Sequence, residues 1–357
     1  MIQRRSAAMV EALLAVAPGR PLREGVDRIL QANKGALIVV GDGPDVLSIC
    51  SGGFLLDAEF SPQRLSELAK MDGAIILAPD ASRIARANVH LVPSPNVPTS
   101  ETGTRHRTAE RVARSVEVPV ISVSEDLSMI AVYRQAQKHP LELVPRLVAR
   151  ANQALQTLER YKNRLDVVSG SLSALESEDQ VTLRNVVTVL QRAEMVRRIA
   201  EEIHGYIVEL GADGRLVRLQ LEELMGGVED DRRLVIKDYF QDRRNWRLDQ
   251  AVSSLSDLGT DDLVDLNHVV SVLHLPSGAD ALDATVQPRG YRLLAKIPGL
   301  SGTIVDRIVE HFGSLQKVVR ATVADLDAVE GVGAARARTV RDGIARLVET
   351  SILERYS

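Results

Sequence analysis

Two short stretches about thirty residues apart carry the side chains best suited to chemistry in this chain. The first, Asp72-Gly73-Ala74, puts a carboxylate beside a residue that has no side chain. The second, residues 103–108, reads Gly-Thr-Arg-His-Arg-Thr and sets two guanidinium groups and an imidazole between threonines. A carboxylate can hold a metal ion or polarise a hydroxyl, and paired arginines bind phosphate oxygens bidentately. Together the stretches predict a nucleotide site in which phosphate is held and a hydroxyl is activated.

The surrounding pattern predicts the elements that would position these two stretches. In the first 140 residues short β-branched runs alternate with helical patterns, which is typical of a mixed α/β domain with one sheet flanked by helices. Strands are expected in six places, the second being a hairpin partner of the first: 37–40, 46–50, 74–77, 87–92, 118–123 and 129–133. Helices are expected over 61–71, with Ser61 as cap and Pro62 in first position, and over 104–115.

The Asp72-Gly73 pair has two interpretations. It can be an ordinary turn, although it stands between a predicted helix and a predicted strand, at a sheet edge of the kind where ligand crevices form. At such an edge Gly73 would let a ligand approach the backbone closely. Asp72 could then coordinate a divalent metal or accept a hydroxyl proton.

The basic cluster also has a plainer alternative. It can be a solvated helix face continued by Arg111 and Arg114, or it can surround an anion at the first turn of its helix, where the helix dipole helps. Ser124 and Glu125 end a predicted strand, where they offer a hydroxyl and a carboxylate to phosphate or metal, or else a helix cap. The residues alone leave both pairs of alternatives open.

The rest of the chain divides into an acidic helical middle and a duplicated end. Residues 141–285 show apolar side chains at helical spacing and carry 17 basic and 25 acidic residues. Residues 286–357 carry 11 basic and 8 acidic residues and repeat a glycine-containing turn, at 297–301 and 329–333, before helical patterns. This duplication predicts a tandem helix-hairpin-helix unit. We therefore expect an α/β domain over 1–140, an all-α linker domain over 141–285 and the hairpin unit over 286–357.

The second hairpin has the features of a module that binds a nucleic-acid backbone. In Gly331-Val332-Gly333 the glycines permit a tight turn that residues with a Cβ resist. Amide N–H groups at the start of the next helix could then meet a phosphate, and Arg336 would add charge. Such binding tolerates sequence changes in the nucleic acid and weakens with salt. The alternative is a hairpin that only packs against its neighbour. In the first repeat Gly299 matches Gly331, but Ser301 stands where the second glycine belongs.

Composition and charge exclude several classes of protein. The 357 residues are 45% hydrophobic and 26% charged, as in ordinary globular proteins, and their 3% aromatic content is too low for a platform that stacks single-stranded nucleic acid. The single Cys50 excludes an internal disulfide and a cysteine-rich zinc site. No apolar run reaches about 20 residues, so we expect a cytoplasmic protein that does not enter a membrane. The net charge of −4 is concentrated in the middle, so DNA contact is expected at residues 286–357.

Over its whole length the chain resembles the DisA family of bacterial diadenylate cyclases. The pairing of Asp72-Gly73-Ala74 with Gly-Thr-Arg-His-Arg-Thr at 103–108 is diagnostic of that family, and the acidic helical middle and the hairpin pair fit it as well. The resemblance implies that two ATP molecules are condensed into cyclic di-AMP and two pyrophosphates, with Mg²⁺ or Mn²⁺ as cofactor. It also implies that branched DNA suppresses the activity and that the protein forms an octamer with cyclase domains face to face.

The resemblance further assigns roles to individual residues. Asp72 would bind the metal and help deprotonate the ribose 3′-hydroxyl. The catalytic set would be Asp72, Arg105, His106 and Arg107. Gly73 and Ala74 would line the nucleotide with backbone, and Leu91 would touch the adenine. The phosphates and part of the base or ribose would be held by Thr104, Arg105, His106, Arg107 and Thr108. Ser124 and Glu125 would complete the shell around the phosphates and the metal. DNA would be bound by Gly299, Gly331, Val332, Gly333 and Arg336.

Two other functions compete with this interpretation. A DNA-structure-binding scaffold could sense nucleotide without turning it over. A repair nuclease could use the hairpins as its anchor, but no carboxylate cluster in the sequence suits a two-metal phosphodiester site.

Overall fold

An eight-stranded sheet organises the N-terminal part of the protein. The computed structural model describes residues 5–125, 129–240, 248–276, 278 and 280–356. The strands are β1 (Ala36–Val40), β2 (Cys50–Ser51), β3 (Phe54–Glu59), β4 (Ala74–Leu77), β5 (Arg83–Leu91), β6 (Val120–Ser124), β7 (Met129–Arg134) and β8 (Gln137–Leu141). Their order is β2-β5-β4-β1-β6-β7-β8 with β3 beside β5, and only β1 and β4 pair in parallel among these strands. The predicted mixed sheet is confirmed.

Helices cover both faces of this sheet, as predicted. They are α1 (Ala7–Ala15), α2 (Pro21–Gln31), α3 (Pro44–Ser48), α4 (Pro62–Leu68) and α5 (Thr104–Ser115). Alternate residues of the central strand β1 point to opposite faces. Ile38 and Val40 belong to the core that includes residues of α1, α2 and α4, whereas Leu37 and Val39 belong to the core that includes residues of α3 and α5.

Three details of the strand prediction were wrong or incomplete. Residues 46–50 were expected to form a hairpin partner of β1, but Pro44 starts a short helix there, and proline is favoured at a first helical position because it lacks an N–H. The neighbours of β1 are instead β4 and β6, which are distant in sequence. The edge strands β3 and β8 were missed. β3 is largely exposed and β8 contains Pro140, so neither shows the apolar alternation of a half-buried strand.

The remainder of the chain is helical. The linker contains α6 (Val144–Glu178), α7 (Leu183–Leu210), α8 (Arg215–Met225), α9 (Val228–Tyr239), α10 (Leu248–Asp257), α11 (Thr260–Val264) and α12 (Leu266–Val272). Short 3₁₀ turns occur at Gly211–Gly214 and Ala281–Asp283. None of the helices in the described ranges combines the length and the apolar character that a bilayer crossing requires. The all-α linker is confirmed.

The C-terminal helices form the predicted tandem of helical hairpins. They are α13 (Tyr291–Ala295), α14 (Gly302–Phe312), α15 (Leu315–Arg320), α16 (Val323–Asp327) and α17 (Gly333–Tyr356). Apolar residues from all five helices share one core, which includes Leu294, Ile308 and Val340. One hairpin joins α13 to α14 and the other joins α16 to α17, so the duplication seen in the sequence is a structural duplication.

A buried charged cluster fixes the first of these helices. Arg292 of α13 is fully buried and donates to Glu176, at 2.7 Å, and to Ser173, at 2.8 Å. The hydroxyl of Tyr239 donates to Glu176 at 2.8 Å. Asp238 accepts the backbone N–H groups of residues 290–292 at 2.7–2.8 Å, which caps α13. Burial and the nearby Glu176 raise the pKa of Asp238 to about 7. Linker helices α6 and α9 thus hold the first hairpin.

Contacts divide the chain into two compact units. One consists of Met1–Gln153 with Ile203–Leu219, and the other of Ala154–Glu202 with Gln220–Ser357. Both long helices, α6 and α7, contribute residues to each unit. The expected domain boundaries at 140 and 285 stay a prediction, because the two compact units divide the chain at other residues, within α6, α7 and α8.

Candidate active site

The sheet topology brings the predicted site residues to one edge. β1 and β4 are parallel and both begin there, whereas β5 and β6 run the other way and end there. Asp72 and Gly73 directly precede β4, Leu91 is the last residue of β5, and Ser124 and Glu125 end and follow β6. In open parallel sheets the crevice lies at the carboxyl ends of the strands. Here the predicted residues lie at the amino ends of β1 and β4, because the antiparallel neighbours β5 and β6 bring their carboxyl ends to the same edge.

Arg105 ties the start of α5 to this edge. Its guanidinium lies over Gly35, where a Cβ would overlap it. Its Nη2 is 3.9 Å from Oδ1 of Asp72, whose side chain is fully exposed. An ion pair this long and this exposed adds little to stability. The carboxylate and the cation are therefore close together and both accessible to a ligand.

The packing of Asn88 in β5 requires glycine at position 73, whether or not a ligand binds. A Cβ on Gly73 would lie 2.6 Å from backbone atoms of Asn88 in β5 and 2.7 Å from its side-chain oxygen. Asn88 has a φ of 53°, and it lies where the register between β4 and β5 shifts. The side-chain amide of Asn88 lies directly over Gly73. The shift in register between β4 and β5 therefore requires glycine at position 73.

The first turn of α5 is suited to an anion. Gly103 precedes the helix and provides no side-chain cap. Within the described part of the chain, the N–H groups of Thr104, Arg105 and His106 have no acceptor, and the helix has no acidic residue in this turn. Free N–H groups at the positive end of a helix dipole favour phosphate. Of the two alternatives for the basic cluster, this geometry favours the anion site.

The remaining predicted nucleotide-binding residues differ in their exposure. Arg107 is exposed, and Thr108 is half-buried with its hydroxyl donating to the carbonyl of Thr104 at 3.0 Å. Glu125 is exposed. Ala74, Leu91 and Ser124 are buried. A nucleotide would therefore contact mainly their backbone, or a single polar atom of the side chain.

Arg111 and Arg114 have a different task from the one expected. Arg111 donates to the carbonyl of Val97 at 3.0 Å, and Arg114 donates to that of Pro98 at 3.1 Å. Glu110 accepts from Thr99 and Ser100 in the same segment, at 2.6 and 2.9 Å, from side-chain and backbone donors. These two arginines therefore do not extend a solvated basic face. Together with Glu110 they hold the proline-containing loop that leads into α5.

His106 belongs to a hydrogen-bonded chain that the sequence did not reveal. Its Nδ1 is 2.9 Å from the hydroxyl of Tyr133, and that hydroxyl donates to Glu101 at 3.2 Å. Lys138 pairs with the same Glu101 oxygen at 2.6 Å. Burial lowers the pKa of His106, an effect that Glu101 opposes and that Lys138 and Arg105 reinforce. No spacing links these residues along the chain, since they come from a loop, α5, β7 and β8.

The donors at this edge fit a cation that is held jointly with substrate. Within the described ranges no group of three or more His, Cys, Asp or Glu side chains could hold a metal ion by itself. Asp72 instead offers one fully exposed carboxylate close to Arg105 in the first turn of α5. Mg²⁺ is commonly bound in this way, by one or two carboxylates together with substrate phosphates and water.

The two C-terminal hairpins share one geometry and differ in one glycine. Gly299 and Gly331 have φ values of 83° and 81°, so both turns use the left-handed conformation that favours glycine. Gly333 also has a positive φ, of 66°, whereas Ser301 at the matching position has a φ of −78°. The first hairpin therefore does not need a second glycine. Its departure from the motif costs no backbone strain.

The second hairpin exposes backbone but not all of its side chains. Arg336 is exposed and donates to the carbonyl of Gly331 at 2.9 Å, which keeps its guanidinium at the turn. The N–H groups of Gly331 and Gly333 have no acceptor among the residues described. Val332 is only 2% exposed, and it packs into the core rather than outward. Its predicted part in DNA binding is thus limited to the shape of the turn.

Three families match successive parts of the chain. Residues 23–138 match the family described as DisA bacterial checkpoint controller nucleotide-binding. Residues 141–282 match the DisA bacterial checkpoint controller linker region, and residues 291–346 match the SAM-like helix-hairpin-helix tandem.

Full-length relatives carry the same description. The DNA integrity scanning protein DisA of Frankia alni is 57% identical over 345 residues, which cover 96% of each chain. That of Streptomyces coelicolor is 54% identical over 351 residues, 98% of this chain and 94% of the relative. Among solved structures, DacA from Staphylococcus aureus aligns with 36% of this chain and 86% of its own at 25% identity, with a TM-score of 0.29, too low to support an argument.

Identity above one half over nearly the whole length is decisive for family membership. The nucleotide-binding domain, the linker and the hairpin tandem also follow one another in the order that the sequence predicted. The chain belongs to the DisA family of DNA integrity scanning proteins and is a diadenylate cyclase, a nucleotidyltransferase that carries a helix-hairpin-helix domain of the DNA-binding kind.

Proposed function

We propose that two protomers bring their site edges face to face, each holding one ATP, and that the two nucleotides react crosswise to give cyclic di-AMP and two pyrophosphates. The observation that supports this most is the accessible edge where Asp72, Arg105 and the free first turn of α5 meet. The single carboxylate and single anion-binding turn suit one nucleotide. A cyclic product with two equivalent bonds then requires two such edges related by a two-fold axis.

The chemistry at each edge is a displacement at phosphorus. The 3′-oxygen of one ribose forms a bond to the α-phosphorus of the opposite ATP, and the bond from that phosphorus to the bridging oxygen breaks to release pyrophosphate. Arg105, Arg107 and the N–H groups of the first turn would hold the phosphates, and Asp72 would take part in removing the hydroxyl proton. Asp72 would also hold Mg²⁺ or Mn²⁺ together with the phosphates, and this ion neutralises charge on them when bound.

Positioning accounts for most of the rate in such a reaction, because the attacking oxygen and the phosphorus must be aligned. The backbone at Gly73 and Ala74, and the strand ends at Leu91 and Ser124, would line the base and ribose. Glu125 would complete the polar boundary. We also propose, on the family resemblance, that the facing pairs belong to an octamer.

The experiment is direct. The full-length protein is incubated with ATP and Mg²⁺, and the products are separated by anion-exchange chromatography. Cyclic di-AMP and pyrophosphate in a ratio of one to two are expected. Unchanged ATP that nevertheless binds to the protein would favour the nucleotide-sensing scaffold and contradict the proposal.

We further propose that branched DNA, bound at the C-terminal hairpins, lowers this activity. The left-handed glycines and the exposed N–H groups of the second hairpin support phosphate binding of the backbone-directed kind. Residues 286–357 also have a basic excess, with 11 basic and 8 acidic side chains. Addition of a four-way junction is expected to slow product formation, whereas a duplex of equal length and composition serves as the control for DNA structure.

A further inference from the structure

The hydrogen bonds around His106 have a defined direction. A carboxylate can only accept, and Tyr133 has one hydroxyl proton. Because that proton goes to Glu101, 3.2 Å away, the phenolic oxygen must accept from Nδ1 of His106, 2.9 Å away. Lys138 forms an ion pair with the same oxygen of Glu101 at 2.6 Å. Burial and the charge of Glu101 raise the pKa of Tyr133, so the phenol keeps its proton.

This direction fixes which nitrogen of His106 can exchange a proton. With Nδ1–H committed to Tyr133, a neutral ring carries no proton on Nε2. Among the residues described, Nε2 has no hydrogen-bond partner, and the ring of His106 is half-buried, whereas Tyr133, which binds Nδ1, is fully buried. Burial lowers the pKa of His106, which favours the neutral ring before any ligand arrives.

A bound triphosphate changes the balance at Nε2. A phosphate oxygen is an acceptor, so an unprotonated Nε2 would face it lone pair to lone pair, whereas an imidazolium donates a charge-assisted hydrogen bond. The charged groups that face His106 are Glu101 from the loop, Arg105 of its own helix and Lys138 of β8. The two cations disfavour a second proton on the empty ring, and the negative charge of the nucleotide would offset them.

We propose that Tyr133, supported by Glu101, is a positioning residue of the cyclase: it holds Nδ1–H of His106 so that Nε2 faces the nucleotide and takes up a proton when the triphosphate binds. This inference rests on the proposed function, because it needs the nucleotide at the start of α5. The plain alternative is that Tyr133 only fills the core with its ring, to which it also belongs.

Isothermal titration calorimetry tests this without turnover. The full-length protein is titrated at pH 7 with α,β-methylene-ATP and Mg²⁺ in buffers of different ionisation enthalpy, which gives the number of protons taken up. We expect uptake approaching about one proton per site, because a ring that is neutral when free and charged when bound gains one. The same titration of His106→Gln measures the protons that the analogue itself takes up or releases when it binds.

Two variants separate positioning from packing. In Tyr133→Phe the ring remains but Nδ1–H loses its acceptor. The neutral ring then moves its proton to Nε2 and can donate to phosphate without uptake. In Glu101→Ala the phenol is free to donate to Nδ1, with the same result for Nε2. Both are expected to bring proton uptake down to the level of His106→Gln, and Tyr133→Phe to lower kcat about ten- to hundredfold.

The chain offers a matched control. Tyr206 is also buried, and its hydroxyl accepts from Arg150 at 3.3 Å. Tyr206→Phe removes the same atom elsewhere in the same compact unit and should leave proton uptake unchanged. The inference is overturned if the native protein binds the analogue without proton uptake, or if Tyr133→Phe takes up as many protons as the native protein. Uptake without any turnover of ATP would instead refute the proposed function and leave the assignment of Tyr133 intact.

Discussion

At the scale of single residues, the environment decides what the predicted side chains can do. Asp72 and Arg105 are accessible, but Leu91 and Ser124 are mostly buried. Gly73 is constrained by Asn88 whether or not a ligand binds. A motif read from sequence therefore contains side chains that are accessible to a ligand and residues that only shape the surrounding backbone.

The variant Asp72→Asn tests whether the carboxylate takes part in the chemical step rather than in ATP binding. The amide has nearly the same size but cannot accept a proton or balance a divalent ion as a carboxylate does. We expect cyclic di-AMP synthesis to fall at least about a hundredfold, within the range attributed to proton transfer by a positioned side chain. ATP affinity, measured by calorimetry without added metal, should change less than about threefold because the phosphate-binding turn is intact. Unchanged turnover would refute the assigned role.

The pH dependence of nucleotide affinity follows from His106. Its pKa in the free protein lies below the ordinary 6.5, and a bound triphosphate raises it. Between these two values the complex holds a proton that the free protein lacks, so affinity is highest at low pH and is lost as pH rises through the value of the complex. We expect Kd for α,β-methylene-ATP to increase between pH 6.5 and 8.5, by up to about tenfold per unit. A dependence of equal size in His106→Gln would contradict this.

At the scale of elements, register and helix ends assemble the site. β1 and β4 begin at one edge, and α5 begins beside them because Arg105 lies over Gly35. In the other compact unit, α6 and α9 hold α13 through Arg292 and Asp238. Buried ionic contacts of this kind are sensitive to the loss of one partner.

Arg292→Met should therefore destabilise the C-terminal hairpins. It leaves the buried carboxylate of Glu176 without its cation, a change that typically costs about 3–5 kcal/mol. Replacing both residues, as Arg292→Met with Glu176→Met, should recover much of that loss because the fully buried carboxylate is removed together with its cation. Urea unfolding followed by circular dichroism measures both, and exposed Arg320→Met is the control. Equal destabilisation in the single and double variants would point to lost packing instead.

At the scale of the whole molecule, function depends on partners that the single chain must attract. The basic excess is at residues 286–357, and the middle of the chain is acidic. We therefore expect the phosphates of DNA to be attracted to the hairpins rather than to the acidic middle of the chain. The proposed synthesis needs another copy of the chain, and its proposed inhibition needs a nucleic acid.

Mixing experiments test the need for a second copy. If both bonds of the product require two competent edges, then after subunit exchange every pair that contains an inactive Asp72→Asn subunit should fail to form cyclic di-AMP. At equal proportions, random pairing leaves about one quarter of the pairs fully active. The rate of cyclic di-AMP formation should then be about a quarter of that of native protein at the same total concentration, not a half. A linear fall with dilution would show that edges act independently.

Charge reversal at the second hairpin tests DNA contact in the intact chain. Deletion of residues 286–357 would remove Arg292 and the N–H groups that Glu176 and Asp238 bind, and so disturb the linker, which makes a surface variant the better probe. Arg336→Glu is expected to weaken the binding of DNA of any sequence and to relieve inhibition by the junction. The slope of the logarithm of the binding constant against the logarithm of salt concentration should become shallower by about one unit. Arg346→Glu, about 15 Å farther along α17, is the control. Undiminished inhibition in Arg336→Glu would exclude this hairpin as the DNA contact.

The sequence alone determined the local and repeated features. Asp72-Gly73-Ala74, the basic turn at 103–108, helix α5 and the duplicated glycine turns were all readable because they depend on neighbouring residues and on backbone preferences. The positions of most strands along the chain and the helical character of the linker were likewise readable, because the period of the apolar residues indicates which kind of element forms.

The tertiary structure decided what came together across the chain. It paired β1 with β4 and β6 instead of a hairpin neighbour, turned Arg111 and Arg114 to the loop, and joined His106 to Tyr133, Glu101 and Lys138. Such contacts depend on strand order and on the direction of buried side chains, which no local spacing encodes. For that reason the motif that identifies the family is visible in the sequence, while the residues that orient its histidine are visible only in the fold.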